Sequence, residues 1–244
     1  MKHYTIVVPT RDSAKWIGAF CAHYQAMGLR PLYLVDSRSR DSTVQTLKQM
    51  GADIRQVTPQ ADRVESMLAF AQQEASSEWI IRFDDDELPS MALVRWLDES
   101  IRGVREPSIA FSRRDVMMRD GRLCYSRGEH YYFHQNDPTY LNPQWRGFKP
   151  SQVEWTDAIH TPGFAVKAFA DAPSSAYFVH FDWMLRSTEE RIEKMKRYER
   201  QAAGAGWSFA QFYLPERHHP DACRWTRMDT QEFDRLAAEI TSWR

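Results

Sequence analysis

The feature that most constrains the fold of this chain is a regular alternation of apolar runs and amphipathic segments over its first hundred residues. Short apolar runs typical of buried strands lie at residues 4–8, 31–35, 52–57 and 79–83. Segments with helical spacing of apolar side chains lie at residues 13–27, 42–50, 63–75 and 90–102. Because strand–helix repeats of this length form βαβ units, the sequence predicts an α/β fold with a Rossmann-like, mostly parallel central sheet flanked by helices.

Polar side chains follow three of these predicted strands. Thr10, Arg11 and Asp12 come after the first strand, residues 36–41 after the second, and residues 84–87 after the fourth. The carboxyl ends of parallel strands meet at one edge of a sheet, where α/β proteins bind their ligands. We therefore expect the chemistry of this protein at that edge.

Four consecutive carboxylates, Asp84 to Glu87, directly follow the apolar strand at residues 79–83. Such groups repel one another, and a divalent cation is the usual partner that offsets the repulsion. In a strand or its immediate exit, Asp84 and Asp86 point to the same side, so the pair predicts a site for Mg²⁺ or Mn²⁺. The alternative is a solvated acidic turn that caps the helix beginning at Ser90.

Composition argues against several other classes of protein. The chain has 32 Lys and Arg against 33 Asp and Glu, whereas nucleic-acid binders usually carry a net basic surface. Its three cysteines form no CxxC pair, and no stretch approaches the ~18 apolar residues of a membrane span. Glycine-rich phosphate loops and a GxSxG motif are absent from the sequence. A cytoplasmic protein without a transmembrane segment is predicted.

Three motifs at the predicted strand ends together resemble family 2 of the GT-A glycosyltransferases. They are VVPTRD at residues 7–12, LVDSRSRDST at 34–43 and FDDD at 83–86, the last matching an Asp-X-Asp metal motif. The order and spacing of the motifs agree with that family over about residues 4–100. The resemblance implies a GT-A fold, a nucleotide-diphosphate sugar as donor, and Mn²⁺ or Mg²⁺ as cofactor.

The resemblance also implies roles for individual residues of the front half. Asp86 would bind the metal together with Asp84, and Asp41 would begin the next helix. Ser37 stands where many relatives have a second Asp, which weakens the implied recognition of the base. The residues implied to bind the nucleotide sugar are Thr10, Arg11, Asp36, Arg63, Asp84 and Asp85.

Weaker matches to the same family lie in the second half. Residues 144–149 and 155–160 resemble an Arg-x-Phe … His-Glu segment, but Thr161 replaces the Glu that would serve as general base. Asp157, and after it Glu154, are the available substitutes, although Asp157 as the cap of a turn is an almost equal interpretation. Residues 179–187 resemble a late His-x-x-Trp-x-x-Arg segment. This match implies that His180 completes the metal site or touches the diphosphate, and that Arg186 adds charge against phosphate.

Two charged segments of the second half are interpreted as structural. The helix predicted at residues 188–203 has acid–base pairs such as Glu190–Lys194, which indicate a solvated helix face, with contact to anionic lipid as the minor alternative. Arg113, Arg114 and Arg119 are interpreted as scattered surface residues, with contact to an acidic acceptor as the alternative.

The sequence thus predicts one GT-A domain over residues 1–244, with a nucleotide-binding half (1–105) and an acceptor-side half with C-terminal helices (106–244). The predicted function is metal-dependent sugar transfer to an acceptor hydroxyl, with inversion, in the synthesis of polysaccharide or another glycan. The acceptor would be a carbohydrate or a lipid-linked molecule, reached by peripheral contact with the inner face of the membrane in the latter case. A sugar-nucleotide nucleotidyltransferase and a non-catalytic nucleotide- or carbohydrate-binding GT-A protein are the alternatives.

Overall fold

Parallel strands form the first part of the sheet, as predicted. The computed structural model describes residues 2–60, 64–127, 139–156, 158, 160–214 and 225–243. Four strands pair in the order β3-β2-β1-β4, all parallel. They are β1 (Tyr4–Thr10), β2 (Leu32–Asp36), β3 (Asp53–Val57) and β4 (Trp79–Arg82). The connections contain α1 (Ile17–Ala26), α2 (Thr43–Gln49) and, after a 3-10 turn at Val64–Met67, α3 (Leu68–Glu74).

The later strands extend the same sheet beyond β4. Strand β8 (Gln144–Phe148) pairs antiparallel with β4 and with β6 (Ser108–Arg119), and β7 (Arg122–Ser126) and β13 (Trp225–Arg227) follow. Strand β12 (Tyr177–His180) lies between β5 (Glu87–Pro89) and β6. The remaining strands are β11 (Ala170–Asp171), which pairs with β6, and the separate hairpin of β9 (Glu154–Trp155) and β10 (Phe164–Ala165).

Helices of the second half complete the α/β architecture. Helix α4 (Met91–Ser100) begins at Ser90, whose side chain accepts a hydrogen bond from the backbone N–H of Leu93, and ends in a 3-10 turn at Ile101–Gly103. After β12 come α5 (Asp182–Leu185) and α6 (Thr188–Gln201). A 3-10 turn (Trp207–Phe209), α7 (Ala210–Tyr213) and α8 (Asp234–Ser242) follow. None of the helices in the described residues is long and apolar enough to cross a membrane.

Strands β1, β2 and β4 are buried on both faces, which is the reason for their continuous apolar runs. Tyr4, Ile6 and Val8 of β1 pack into one core cluster, whereas Val7 packs into the other. The first cluster contains apolar residues of α1, α4 and α8, and the second contains residues of α3 and β10. Helices on both faces therefore leave the edge at the strand ends as the place for polar groups.

The four carboxylates at residues 84–87 form a turn directly after β4. The sequence placed Asp84 and Asp86 in a strand or its immediate exit, and the structure shows the exit: β4 ends at Arg82, and the backbone N–H of Glu87 donates to the carbonyl of Asp84 (3.0 Å). This segment, residues 84–87, is called the acidic turn below. The charged pattern of α6 was interpreted as a solvated helix face, but the helix also has a buried side: Arg191 and Met195 are buried, and Lys194 is half-buried.

Close packing at Gly147 of β8 gives a test of the fold. A Cβ atom at this position would lie 3.2 Å from Cβ of Ile109 and 3.3 Å from Cδ1 of Ile81, so Gly147→Ala overpacks the sheet. We expect a loss of about 1–3 kcal/mol in the free energy of unfolding, measured by urea denaturation. Gly103→Ala is the matched control, since nothing lies within 4 Å of its Cβ, and should leave stability unchanged or slightly raised. Equal stability of the two variants would contradict this packing.

Candidate active site

The ends of β1 and β4 meet at Asp85. The hydroxyl of Thr10 donates to Oδ2 of Asp85 (2.7 Å), and the hydroxyl of Ser13 donates to the same oxygen. Burial and the neighbouring charge of Asp86 raise the pKa of Asp85 to about 6. The Thr10 side chain predicted to bind the nucleotide therefore lies at the acidic turn, where it anchors one of the three aspartates.

Asp84 and Glu87, at the two ends of the acidic turn, are held by arginines from the interior of the sheet. Arg146 of β8 contacts Oδ2 of Asp84 at 2.8 Å and Oε1 of the fully buried Glu87 at 2.5 Å. Arg82 contacts Oδ1 of Asp84 at 2.8 Å. Burial alone would raise the pKa of Asp84, but the charges of Arg146 and Arg82 hold it well below its usual range. Both oxygens of Asp84 are thus engaged by guanidinium groups.

Asp86 has a different set of partners, contributed by the segment that follows β12. Nη1 of Arg186 lies 2.8 Å from Oδ2 of Asp86 and also binds the buried Asp182. Nζ of Lys194 lies 2.8 Å from Oδ1 of Asp182 and 3.9 Å from Oδ2 of Asp86. Burial alone would raise the pKa values of Asp86 and Asp182, but neighbouring cations lower both. Two carboxylates and two cations therefore form a compact, charge-balanced cluster.

His180 stands between two carboxylates. Its Nδ1 lies 2.6 Å from Oδ1 of Asp115 on β6, and its Nε2 lies 3.6 Å from Oδ1 of Asp86. Burial disfavours a charged imidazole, but Asp86 and Asp115 outweigh it and raise the pKa of His180. Asn142 also donates to Asp115 (3.2 Å), so the orientation of the ring is fixed from behind.

Asp86, His180 and Asp182 form a group whose potential ligand atoms all lie within 4.8 Å of one another. Two carboxylates and one imidazole suit Mn²⁺, since Mg²⁺ prefers oxygen ligands alone. A metal-bound histidine usually donates its second ring nitrogen to a carboxylate, and Asp115 supplies that carboxylate here. The residues present therefore fit a divalent cation. Asp84, predicted as a ligand, is not part of this group in the described residues.

At the end of β2, Asp36 is buried and clamped by arginines. Arg38 contacts its carboxylate at 2.7 Å, and Nη1 of Arg11 lies 3.6 Å away. Burial would raise the pKa of Asp36, but its bonds to Arg38, with help from Arg11, lower it. Asp41 accepts hydrogen bonds from the backbone N–H groups of Ala14 and of Thr43, the first residue of α2. It therefore ties the ends of β1 and β2 together.

Of the two predicted bases, only Glu154 lies within the described residues. Arg63 and Asp157 lie outside the described residues. Glu154 is exposed on β9 and pairs with Lys167 at 2.8 Å, so the structure does not join it to the cluster. The carbonyl of Thr161, however, lies 3.5 Å from Nη1 of Arg82, which binds Asp84. The chain just after residue 157 is thereby linked to the acidic turn.

Several polar residues of the site were missed in the sequence. Asp182 lies within the segment matched to the late family motif, but the resemblance assigned it no role. Lys194 was assigned to a surface pair with Glu190, whereas Glu190 instead completes the capping box at Ser187. Asp115 and Arg113 lie on β6 and pair with each other at 3.3 Å, so Arg113 is not a scattered surface residue. For these two residues, the available sequence signal was the run of charged residues at 113–115 inside the otherwise apolar strand β6.

Comparisons with known proteins identify the fold. No family model matches the sequence, and no curated protein matches it at a significant level. S. aureus TarS 1–349 is similar, with a TM-score of 0.51 and 12% identity, over 82% of this chain and 66% of that one. The same fragment in complex with UDP-GlcNAc gives a TM-score of 0.48 and 12% identity over 81% and 65%. Glucosyl-3-phosphoglycerate synthase from Mycobacterium tuberculosis, in complex with Mn²⁺, UDP and glucosyl-3-phosphoglycerate, gives 0.38 and 16% over 49% and 45%.

The chain has the GT-A fold of glycosyltransferases, as predicted. It spans just under two thirds of the length of the TarS fragment. Assignment to family 2 stays a prediction, as do the roles of the individual site residues.

Arg146 provides a test of the charge network, with Arg55 as matched control. Each arginine pairs with two carboxylates, Arg146 with Asp84 and Glu87 in the interior and Arg55 with Asp53 and Glu74 at the surface. We expect Arg146→Gln to lower the free energy of unfolding by about 3–5 kcal/mol, because it leaves Glu87 buried without its closest cation. Arg55→Gln should leave the urea midpoint unchanged, since exposed ion pairs contribute little. Equal midpoints for both variants would show that the network is not stabilising.

Proposed function

We propose that this protein is a divalent-cation-dependent glycosyltransferase that moves a hexosyl or related sugar from a nucleotide-diphosphate sugar to an acceptor hydroxyl, with inversion. The observation that carries the proposal is the group of Asp86, His180 and Asp182 at the strand-end edge of a GT-A fold, with Arg186 and Lys194 beside it. Carboxylates, an imidazole and cations at one place suit a ligand that consists of a metal and a diphosphate.

Asp86, His180 and Asp182 are the proposed metal ligands. A bound Mn²⁺ would supply Lewis-acid chemistry by neutralising charge on the departing diphosphate. Asp115 acts on His180, whose ring it holds through Nδ1 so that Nε2 faces Asp86. This arrangement keeps the imidazole in one orientation before any ligand arrives, which lowers the free-energy cost of binding.

Arg186 and Lys194 are proposed to stabilise the leaving group. Both cations now balance the carboxylates of Asp86 and Asp182. A divalent cation held by those carboxylates would compete with the two side chains, which would then be free to face the anionic diphosphate. The guanidinium of Arg186 is well suited to this role, because its planar fork matches phosphate oxygens. The ring of Trp16, 4.6 Å from the guanidinium carbon, limits where that side chain can go.

The donor nucleotide is proposed to bind in the 1–105 half, along the ends of β1 and β2. Thr10, Arg11, Asp36, Asp84 and Asp85 lie at this edge of the sheet, and Arg63 precedes the 3-10 turn before α3. Asp36 would accept a hydrogen bond from the base only by sharing its oxygens with Arg38. Asp84 and Asp85 contribute by fixing the acidic turn through their bonds to Arg82, Arg146, Thr10 and Ser13.

Asp157 is the proposed general base. Its carboxylate would take the proton of the acceptor hydroxyl as that oxygen forms a bond to the anomeric carbon and the bond to the diphosphate breaks. The 3.5 Å contact between the Thr161 carbonyl and Arg82 supports this choice, because it ties the neighbouring chain to the acidic turn. Glu154, exposed and paired with Lys167, is the weaker candidate.

Metal-dependent donor binding tests the proposal. UDP-GlcNAc, the ligand of the TarS complex, is the first donor to try, followed by other UDP-, GDP-, CMP- and dTDP-sugars. With Mn²⁺ and donor in large excess over Kd, we expect a rise in Tm of about 5 °C or more, because only the folded state binds them. Asp86→Ala should lose the Mn²⁺-dependent part of this rise, whereas Asp53→Ala, an exposed control, should keep it. Failure of every nucleotide sugar to give a metal-dependent shift would contradict the proposal.

Turnover tests the base and the type of reaction. Asp157→Asn should abolish release of the nucleoside diphosphate in the presence of acceptor and leave the donor-induced rise in Tm unchanged. Glu154→Gln should retain at least half of the wild-type turnover, because its carboxylate already pairs with Lys167. Retained turnover in Asp157→Asn would exclude that residue as base. Release of inorganic diphosphate in place of nucleoside diphosphate would identify a nucleotidyltransferase instead.

A further inference from the structure

Strands β6, β7 and β13 carry a second, basic groove at some distance from the acidic turn. The groove has a volume of about 390 Å³. Its lining residues are Arg119, Asp120, Arg122, Cys124, Trp225 and Arg227. Three guanidinium groups face one carboxylate here, in a chain whose formal net charge is −1. Within the described part of the chain, none of the three arginines forms an ion pair.

Strand register places the three arginines on one face of the sheet. Arg119 lies directly opposite Arg122, and Cys124 lies opposite Arg227. Since residues opposite one another, and residues two apart in one strand, point to the same side, these side chains share a face. Burial raises the pKa of the Cys124 thiol against the opposing effect of all three arginines, so their charges converge there.

Like charges directly opposite one another destabilise a strand pair. The Arg119–Arg122 pair is held in this position by a tight turn, in which Asp120 and Gly121 both have positive φ (49° and 70°). The structure therefore keeps two guanidinium groups together at a cost in stability. A bound anion would offset the repulsion between the two guanidinium groups, which supports a role for the pair in binding an anion.

Strand β6 carries residues of both the groove and the proposed active site. Asp115, which holds His180, and Arg119 lie on the same face of this strand, four residues or about 13 Å apart. Trp225 in the groove packs edge-on against Trp183, with ring centroids 5.8 Å apart, and Trp183 is the neighbour of Asp182 in α5. A ligand that occupies both places must therefore span this distance.

We propose that this groove binds a phosphate group of the acceptor, so that the acceptor is a phosphate-bearing molecule longer than one sugar unit. The inference rests on the proposed function for the identity of the ligand as acceptor. Three arginines suit a phosphate better than a carboxylate, because phosphate offers more oxygens and more charge to planar guanidinium forks. The ring of Trp225, over which Arg119 lies at 5.0 Å, provides a flat apolar surface for an adjoining sugar.

Binding of inorganic tripolyphosphate, measured by isothermal titration calorimetry in excess UDP and without divalent cations, tests the site. The double variant Arg119→Gln/Arg227→Gln should bind this probe at least about tenfold more weakly than the wild type, because hydrogen bonds to charged groups are lost. The matched control is Arg30→Gln/Arg102→Gln, which removes the same charge from exposed positions elsewhere and should bind like the wild type. Equal affinity of the two double variants would overturn the proposal.

Two comparisons complete the experiment. Equally tight binding of a carboxylate probe such as trigalacturonate would also overturn it. Vesicles that contain phosphatidic acid distinguish the source of the phosphate. If the wild type binds these vesicles and the Arg119/Arg227 variant does not, the acceptor is lipid-linked. If the wild type does not bind them, the acceptor is soluble. The donor-induced rise in Tm is measured on the same variant. If that rise is missing in the wild type while tripolyphosphate binds, the proposed function fails and the phosphate groove stands.

Discussion

Neutralisation of the acidic turn is the interaction on which the rest of the structure depends. Burying an unpaired carboxylate costs several kcal/mol, so each carboxylate of the turn requires a cation or hydrogen-bond donor nearby. Arg146 comes from β8, and Arg186 comes from the segment after β12. The second half of the chain must therefore dock where these cations reach the turn. Charge pairing thus fixes the position of the back half relative to the parallel strands, in addition to the apolar cores.

Much of the fold could be predicted because its signals are local. The apolar runs of β1, β2 and β4 reflect burial on both faces, and the polar residues that follow these three strands reflect one shared edge. Element boundaries were less accurate. The acidic segment was expected in a strand or its immediate exit, and the bond from Glu87 N–H to the Asp84 carbonyl closes it as a turn. Three consecutive aspartates do not distinguish these conformations, because a strand, a strand exit and a turn can all contain them.

The sequence indicated where the candidate site lies in the fold, but not which side chains pair with one another there. His180 and Arg186 were found from a spaced motif. Their contacts, however, depend on the order of the strands in the sheet, which the sequence does not reveal. Strand β12 pairs with both β5 and β6, which brings Asp115 behind His180. Lys194 has a plausible partner in Glu190 one helical turn away, and helical spacing alone favours that local pair. In the structure Lys194 pairs with Asp182 instead, because burial strengthens this ion pair. Burial is a property of the folded chain and cannot be seen in the helical spacing.

The separation of these charges along the chain has a consequence for the order of folding. Asp86 and Arg186 are 100 residues apart, and Asp84 and Arg146 are 62 apart. The parallel strands β1 to β4 can assemble from the first 82 residues, before either arginine has left the ribosome. Until then Asp86 and Asp84 remain exposed to water, because these two cations are not yet present. The front half, residues 1–105, therefore reaches its native charge pairing only after the back half has been synthesised.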